Sequence, residues 1–521
     1  TDTETPPPPA EPSLRFDLDG YYRIRGTWIG NTPILRGTGA AEGKGAVFAF
    51  QRLRAEPKVI YGFGGDDFEA RLSAQIDALD NVVFGDNSRR AAVPLFAASP
   101  SSTSVLGTDE DTIQLKRVWL ELMTPVGLLG VGRMPLGVGL QILSHDGNGL
   151  SEWGDPLYTD SVDMVYFATQ PLTIFNALAT GDRSPTPLYL VFGYSQLVED
   201  SLRDPSEGIG GDPADPATRT DVPYGFLADG SDDVSSVLYA FGWSDKELNP
   251  GHPNDVLHAD FLGSYRFQES TNSDVYIFDL AWKLIYTAHD NWPSLYTEGE
   301  LYTIQGSSDG IPFAGGCDPN RCDSLSANIW GGAFRLGAQE ESKQWSGYLE
   351  LGFSTGDDKI FADPTLTERP NHPDYRVGLL TYQVAVYAAS AQQGADLAGL
   401  WSYGGVYNSK YLYPQFRYEL IDGVEAHIAW VFAWADTLSP AVYVNERPGG
   451  EASCGLVDGD CFIGWEVDGA IRVKWGKDDL LRWDTEFGLM RAGAALHQDG
   501  VDFGLGEPWL WTLQTRIAMV F

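Results

Sequence analysis

No apolar run in this chain approaches the roughly 18 residues that would cross a bilayer as a helix. With 43% hydrophobic residues and a mean hydropathy below zero, helical membrane spans are excluded. Basic residues are few, 35 Lys and Arg against 72 Asp and Glu, and the formal charge of −37 leaves no footprint for nucleic-acid phosphates. Gly-x-Ser-x-Gly, His-Glu-x-x-His and phosphate-loop patterns are missing. There are seven histidines, and His145, His258, His289 and His427 form no constellation with a serine, so an enzyme would lack its nucleophile and base. Without Cys-x-x-Cys-His there is no covalent haem site. The only four cysteines fall in two close pairs, Cys317 with Cys322 and Cys454 with Cys461, in Gly- and Asp-rich stretches. These spacings suit local loop disulfides in an oxidising compartment better than a metal site.

What is abundant is aromatic residues (16 Trp, 24 Tyr, 25 Phe) and 59 Gly, a mixture that suits many short strands joined by tight turns. Alternation confirms the texture. In Trp509–Phe521, Trp509, Trp511, Leu513, Thr515, Ile517, Met519 and Phe521 share one face, and Leu510, Thr512, Gln514, Arg516, Ala518 and Val520 share the other. From Leu14, the face of Phe16, Leu18, Tyr22, Ile24 and Trp28 opposes Arg15, Asp17, Asp19, Arg23 and Arg25. Trp465, Val467, Ile471, Val473 and Trp475 oppose Glu466, Asp468, Arg472 and Lys474, and a short Gly476–Asp479 turn leads to Leu481, Trp483 and Phe487 opposing Arg482, Asp484 and Glu486. In Val424–Trp434, Ile428, Trp430, Phe432 and Trp434 oppose Glu425 and His427.

Several charges per strand cannot be buried in a dry core, because each costs several kcal/mol even when paired. Water must reach that face. If the Trp- and Leu-rich face were wet as well, the chain would aggregate. A polar lumen with a lipid-facing exterior meets both demands. A soluble two-sheet sandwich is the competing arrangement, and it gives no role to the aromatic strand ends. Further strands are predicted near 46–62, 68–84, 112–124, 126–134, 161–178, 187–196, 234–243, 256–268, 274–288, 295–305, 327–339, 343–354, 380–389 and 411–421. The prediction is an all-β, transmembrane, antiparallel up-and-down barrel of about 18 strands, within 16 to 20, spanning 14–521. Long insertions at 85–111, 134–160, 197–233, 355–379, 390–410 and 436–462 are expected as extracellular loops or lumen-folded constrictions. Residues 1–13, with Pro6 to Pro9 and Pro12, read as an extended periplasmic tail of a processed chain.

A strand closing on an aromatic carboxy-terminal residue, Phe521, resembles the assembly signal of bacterial outer-membrane barrels. Gln51–Pro57 and the Gly130–Val165 segment, with Gly-Arg-Met-Pro at 132–135, Ser144–Leu150 and the acidic Asp155–Asp163, resemble outer-membrane porins of the alginate-export type and related porin-like barrels. About a tenth of the chain carries this resemblance. It departs from those exporters at Asp146-Gly147-Asn148-Gly149, which leaves the solute open. The resemblance implies a channel in the outer membrane for passive passage of hydrophilic solutes, anionic carbohydrate among them. It also implies contact with outer-membrane lipid and lipopolysaccharide, insertion by the assembly machinery, and no enzymatic chemistry or cofactor. A barrel scaffold or sheath holding a partner protein or surface assembly is the alternative, and a homo-oligomer stays open.

Alternation turns Arg15, Arg23, Arg25, Arg52, Arg54, Lys58, Arg117, Arg133, Arg417, Arg472, Lys474, Arg482 and Arg516 inward. They either draw anions into the pore or pair across strands with Asp17, Asp19, Glu56, Glu121, Glu419, Glu466, Asp468, Asp484 and Glu486. In the long loop, Asp146, Asn148, Glu152, Asp155 and Asp160 could give oxygens to Ca²⁺. Their spacing does not match a twelve-residue calcium loop, and a hydrogen-bonded Asx turn fits better.

Overall fold

The computed structural model describes residues 12–31, 45–63, 68–83, 113–148, 152–157, 159–198, 233–269, 271–289, 292–309, 325–340, 342–357, 365–393, 402–438, 454–455, 458–497 and 508–521. Among these, 18 long strands close into one antiparallel barrel. They are β1 (Ser13–Gly30), β2 (Gly45–Gly62), β3 (Glu69–Val83), β4 (Ile113–Thr124), β5 (Gly127–Pro135) and β6 (Ser161–Thr169). Next come β7 (Leu188–Val198), β8 (Val234–Asp245), β9 (Val256–Gln268), β10 (Ser273–Tyr286), β11 (Ser294–Ser308) and β12 (Leu325–Gln339). The last six are β13 (Trp345–Ser354), β14 (Ser409–Ile421), β15 (Val424–Ala435), β16 (Phe462–Trp475), β17 (Leu481–Ala492) and β18 (Trp509–Val520). Each pairs with its sequence neighbours, and β1 also pairs with β18 from Tyr21↔Val520 to Gly30↔Trp511. Closure leaves no open edge, which a bilayer would not tolerate. A two-residue strand, Thr365–Leu366, lies parallel to β12 and takes no part in the wall.

Period-two alternation sorts the wall. On β18, Trp509, Leu513, Ile517 and Met519 are 41–59% exposed, whereas Leu510, Thr512, Gln514, Arg516 and Ala518 are at most 8% exposed. Side chains of the second set are inside the barrel. Across the sheet the exposed large residues (Leu120, Leu129, Val165, Phe192, Leu280, Leu336, Leu349, Trp430, Phe487) form an apolar outer belt. Short turns at 125–126, 422–423 and 476–480 lie at one rim, and the strand ends that lead into the long insertions lie at the other.

Two expected strands are not strands over their whole length. Segment 380–389 is a π-helical turn, Thr381–Val386, running into α2 (Tyr387–Gln393). Its β-branched and aromatic residues suggested a strand, but the buried Tyr382, Ala385, Val386 and Ala389 recur at helical spacing. Segment 161–178 divides into β6 and α1 (Pro171–Thr180), the proline standing in the first turn where its missing N–H costs nothing. The expected tail lies outside the described residues up to position 11, and β1 begins at Ser13.

The main apolar core lies inside the barrel. The described residues of segments 136–160 and 365–407 fold inward, and Ile142, Trp153, Leu379, Leu380, Tyr382 and Val386 pack with the wall residues Tyr302, Ala333, Tyr411, Tyr413 and Val431.

At the closing seam, the Gly20 N–H donates to the Phe521 carbonyl at 2.8 Å and the Phe521 N–H donates back at 3.0 Å. A Cβ on Gly20 would run into the Arg54 carbonyl and the Phe521 ring. Gly20→Leu is therefore expected to destabilise the barrel by about 1–3 kcal/mol, the usual range for overpacking. Urea unfolding in detergent, followed by gel mobility of unheated samples, measures this; an unchanged midpoint would contradict the seam geometry.

Candidate functional site

The interior is organised around Asp155, at the inner tip of segment 136–160. Strands β18, β1 and β2, and β4 beyond β3, turn Arg516, Arg23, Arg25, Arg52, Arg54 and Arg117 inward, all of them at most 3% exposed. Asp155 Oδ2 accepts from Arg23 at 2.9 Å and Arg25 at 3.2 Å, and Oδ1 accepts from Arg516 at 2.6 Å. Burial by itself would push the Asp155 carboxyl up. Arg516, Arg23 and Arg25 overcome that and hold it well below the usual carboxylate range. Arg52 donates to the Pro156 carbonyl at 3.2 Å and Arg54 to the Gly147 carbonyl at 2.6 Å, while Arg54 Nε also holds Asp77 at 2.7 Å. Arg117 donates to the carbonyls of Asp146 and Asp160 and to Ser161 Oγ. Six guanidinium groups thus clamp one inward segment from one side.

Wall carboxylates grip the backbone of the inward segments. Glu486 accepts from Gly154 N–H at 3.2 Å and from Arg25 at 2.6 Å. Glu300 accepts from the N–H groups of Ile142 and Leu143. Glu466 accepts the N–H groups of Leu379, Leu380 and Thr381 at 2.7 Å each, and the Thr381 hydroxyl at 2.6 Å, capping the helical turn there. Trp153 lies under the Arg472 guanidinium at 5.3 Å and donates to Gln415.

The remaining basic residues divide. Arg15 pairs with Asp17, Lys58 with Asp19 and Lys474 with Asp479, in more open parts of the wall. Arg417 lies near Glu152 and Glu425, and Arg472 holds Glu425 at 3.1 Å. Arg482 lies inward opposite Lys474. Arg133 departs from expectation. It is 57% exposed and pairs with Asp163 on the outer face that carries Leu129, Val131 and Val165. The phase of β5 is set by the inward Gly130 and Met134, which puts the odd positions outside.

The proposed oxygen cluster does not converge. Asp146 closes an Asx turn on the Asn148 N–H at 2.9 Å, Asn148 Oδ1 accepts from Gln75, Glu152 accepts from Tyr348, and Asp155 is taken by arginines that would repel a cation. Among the described residues no group of three or more His, Cys, Asp or Glu is placed to hold a metal ion. Cys454 is bonded to Cys461, and its N–H donates to the Asp436 carbonyl at 3.0 Å. Cys317 and Cys322 lie outside the described residues.

Glu300, Arg71 and the stacked His145–His372 pair were not singled out from sequence. Alternation in β11 does turn Glu300 inward with Glu298 and Tyr302, opposite Leu301. Beneath segment 136–160, toward the short-turn rim, the lumen keeps an open cavity of about 520 Å³. Arg15, Lys58, Arg71, Glu121, Trp119 and Tyr166 are among its lining residues.

An even-stranded closed barrel with an apolar belt and a charged interior is a transmembrane barrel of the outer-membrane type. No family model and no curated protein matches the chain. Among solved structures it is similar to OpdL of Pseudomonas aeruginosa, with 11% identity, coverage of 97% of this chain and 98% of that one, and a TM-score of 0.48. It is also similar to a BenF-like porin from Pseudomonas fluorescens Pf-5, with 12% identity, 97% and 98% coverage, and a TM-score of 0.47. A third is the outer-membrane protein OpdK of Pseudomonas aeruginosa, with 12% identity, 97% and 99% coverage, and a TM-score of 0.45. At such identities and scores no solute or role is carried across.

Two predictions follow from this interior. Asp155→Asn removes an anion shared by three buried guanidinium groups, of which Arg25 keeps Glu486 and Arg516 keeps Asp484, a loss of about 3–5 kcal/mol for breaking a buried pair. Segment 136–160 should then become open to protease in detergent, with the strand circular-dichroism signal retained; protection equal to wild type would refute the clamp. The second concerns the two inward segments, which meet where His145 stacks on His372 at 5.4 Å. His145 Nδ1 accepts the Gly147 N–H and His372 Nδ1 accepts the Asp374 N–H. Burial, His145 and Arg369 hold His372 down at about 3; burial, Arg376 and Arg117 lower His145 against the pull of Asp146. A released segment protonates near 6.5 and the packed one only near 3. Contact stability is therefore full above about pH 6.5 and declines as pH falls toward 3. Hydrogen exchange of 372–375, corrected for intrinsic rate, should show weaker protection at pH 5 than at pH 7.5, and His372→Gln should reduce that difference.

Proposed function

We propose that this chain is a passive channel of the bacterial outer membrane for hydrophilic, anionic solutes, throttled by segments 136–160 and 365–407. The carrying observation is the cavity under the clamp, where Arg15, Lys58 and Arg71 keep 67%, 35% and 41% of their side-chain surface exposed. A solute can meet these cations, whereas the six clamp arginines are occupied by the inward segment. Guanidinium and ammonium groups facing water in a lumen attract anions even with Asp17 and Glu121 nearby, because the acids offset but do not remove local donors. The resemblance of Gly130–Val165 to alginate-export porins favours an anionic carbohydrate as solute. On this reading Phe521 is the assembly signal, and the chain before β1 is on the periplasmic side.

A barrel scaffold with an occupied lumen is the second reading. It is favoured by the apolar packing of Trp153, Leu379 and Leu380 across the interior. Planar-bilayer recording separates the two. A channel should give discrete steps with an anion-leaning reversal potential in a KCl gradient. Replacing Arg15, Lys58 and Arg71 together by Ser should move that potential toward cations, while Arg23, Arg25 and Arg54 together to Ser should enlarge the steps by loosening the clamp. A folded barrel that passes no current would support the scaffold.

A further inference from the structure

The outer belt is interrupted by outward-facing glycines, and one such place lies beside a cation near the long-loop rim. On β10 to β14, the outward row Leu280, Leu301, Gly332, Phe353 and Lys410 lies above the row Trp282, Gly299, Phe334, Leu351 and Leu412, as the strand register fixes. Two of these ten outward positions are glycine. The Trp282 ring lies across Gly299 and fills that gap. At the other, Leu301 and Phe353 stand close on either side, and a Cβ at Gly332 would crowd Leu301 Cδ1 and Phe353 Cε1 at 3.1 Å and the Glu300 carbonyl at 3.2 Å. Around it Trp282, Leu301, Phe334, Leu351 and Phe353 line an apolar groove of about 460 Å³.

Lys410 stands at the groove's upper end, the second residue of β14 below the long-loop rim. Its ammonium gives one hydrogen to Asp436 Oδ1 at 2.7 Å and one to the Cys454 carbonyl at 3.3 Å. An ammonium has three hydrogens. Among the described residues these two partners leave the third for a ligand, and the side chain is 34% exposed.

We propose that this groove is a specific site for one acyl chain of lipid A, with Lys410 beside its phosphate. The groove is continuous with the lipid-facing belt, so hydrocarbon is what reaches it. It lies in the long-loop half of the wall, which in barrels of this type faces outward, where lipopolysaccharide forms the leaflet. Gly332 provides the depth, and Lys410 provides charge complementarity at the headgroup level.

Native mass spectrometry of the barrel, released from detergent after addition of a lipid A bearing two core sugars, tests this. One lipid A per chain is expected to survive washing. Gly332→Leu fills the groove from below and Leu351→Trp from its side. Displacing as few as two methylenes corresponds to about tenfold weaker retention, so each variant should lose at least that. Lys410→Gln should weaken lipid A retention without filling the groove. Unheated gel mobility reports folding, and the two filling variants are independent should one fail to assemble. Retention equal to wild type in a folded filling variant overturns the proposal. So does equal retention of phosphatidylethanolamine, which would make the site one for any membrane lipid. A dimer mass that Gly332→Leu abolishes would assign the groove to a second copy of the chain, overturning it as well.

Discussion

Charge inside a closed barrel must be neutralised within the barrel, and that constraint shapes this molecule more than any other. Alternation sends every second side chain of 18 strands inward, and many are charged. Open porins leave such groups to water. Here the arginines of β18, β1, β2 and β4 are almost fully buried, and a buried guanidinium without an anion would cost several kcal/mol. Asp155, carried in on a loop, supplies the anion to three of them, and carbonyls of the same loop serve Arg52, Arg54 and Arg117. The inward fold of the loop and the basic wall require one another.

Wall carboxylates solve the complementary problem. Glu300, Glu466 and Glu486 each accept backbone N–H groups from an inward segment. A loop folded into a lumen loses water from its amides, and a carboxylate is the strongest common acceptor that can replace it. Basic side chains therefore hold loop carbonyls and Asp155, while acidic ones hold loop amides. The interior is polarised in the same sense as the backbone it retains.

The barrel was legible in the sequence because a period of two needs only local residues to be read. Trp509–Phe521 alone distinguishes lipid side from lumen side. The pairing inside was not legible. Arg23 meets Asp155 across 132 positions and Arg25 meets Gln514 across 489, and no local spacing encodes such contacts. Where reading failed, a local signal carried two meanings. Tyr382, Val384 and Val386 favour a strand by residue type, yet burial on a helical period decided the fold of that segment. Arg133 looks like its lumenal neighbours by charge, but Gly130 and Met134 fix the phase of β5 and place it outside with Asp163. The Asx-rich 145–160 segment offered oxygens to a cation as well as an Asx turn; Asp146 closes the turn, and Asp155 is held by arginines.

The outer surface obeys the same economy with the signs removed. Lipid offers nothing to hydrogen-bond, so the belt is built of side chains that need no partner, and an ion pair such as Arg133 with Asp163 is confined to a strand end near the rim. Glycine on that surface is then a matter of shape. At Gly299 the neighbouring Trp282 restores the contour, a cross-strand device that also shields the backbone. At Gly332 the side chains of Leu301 and Phe353 stand close on either side of a groove, and hydrocarbon is the material at hand to fill it. Inside, a chain segment completes the wall; outside, a lipid does. In both places the strands leave a vacancy that only a complementary partner can occupy without leaving a polar group unpaired or an apolar surface unpacked.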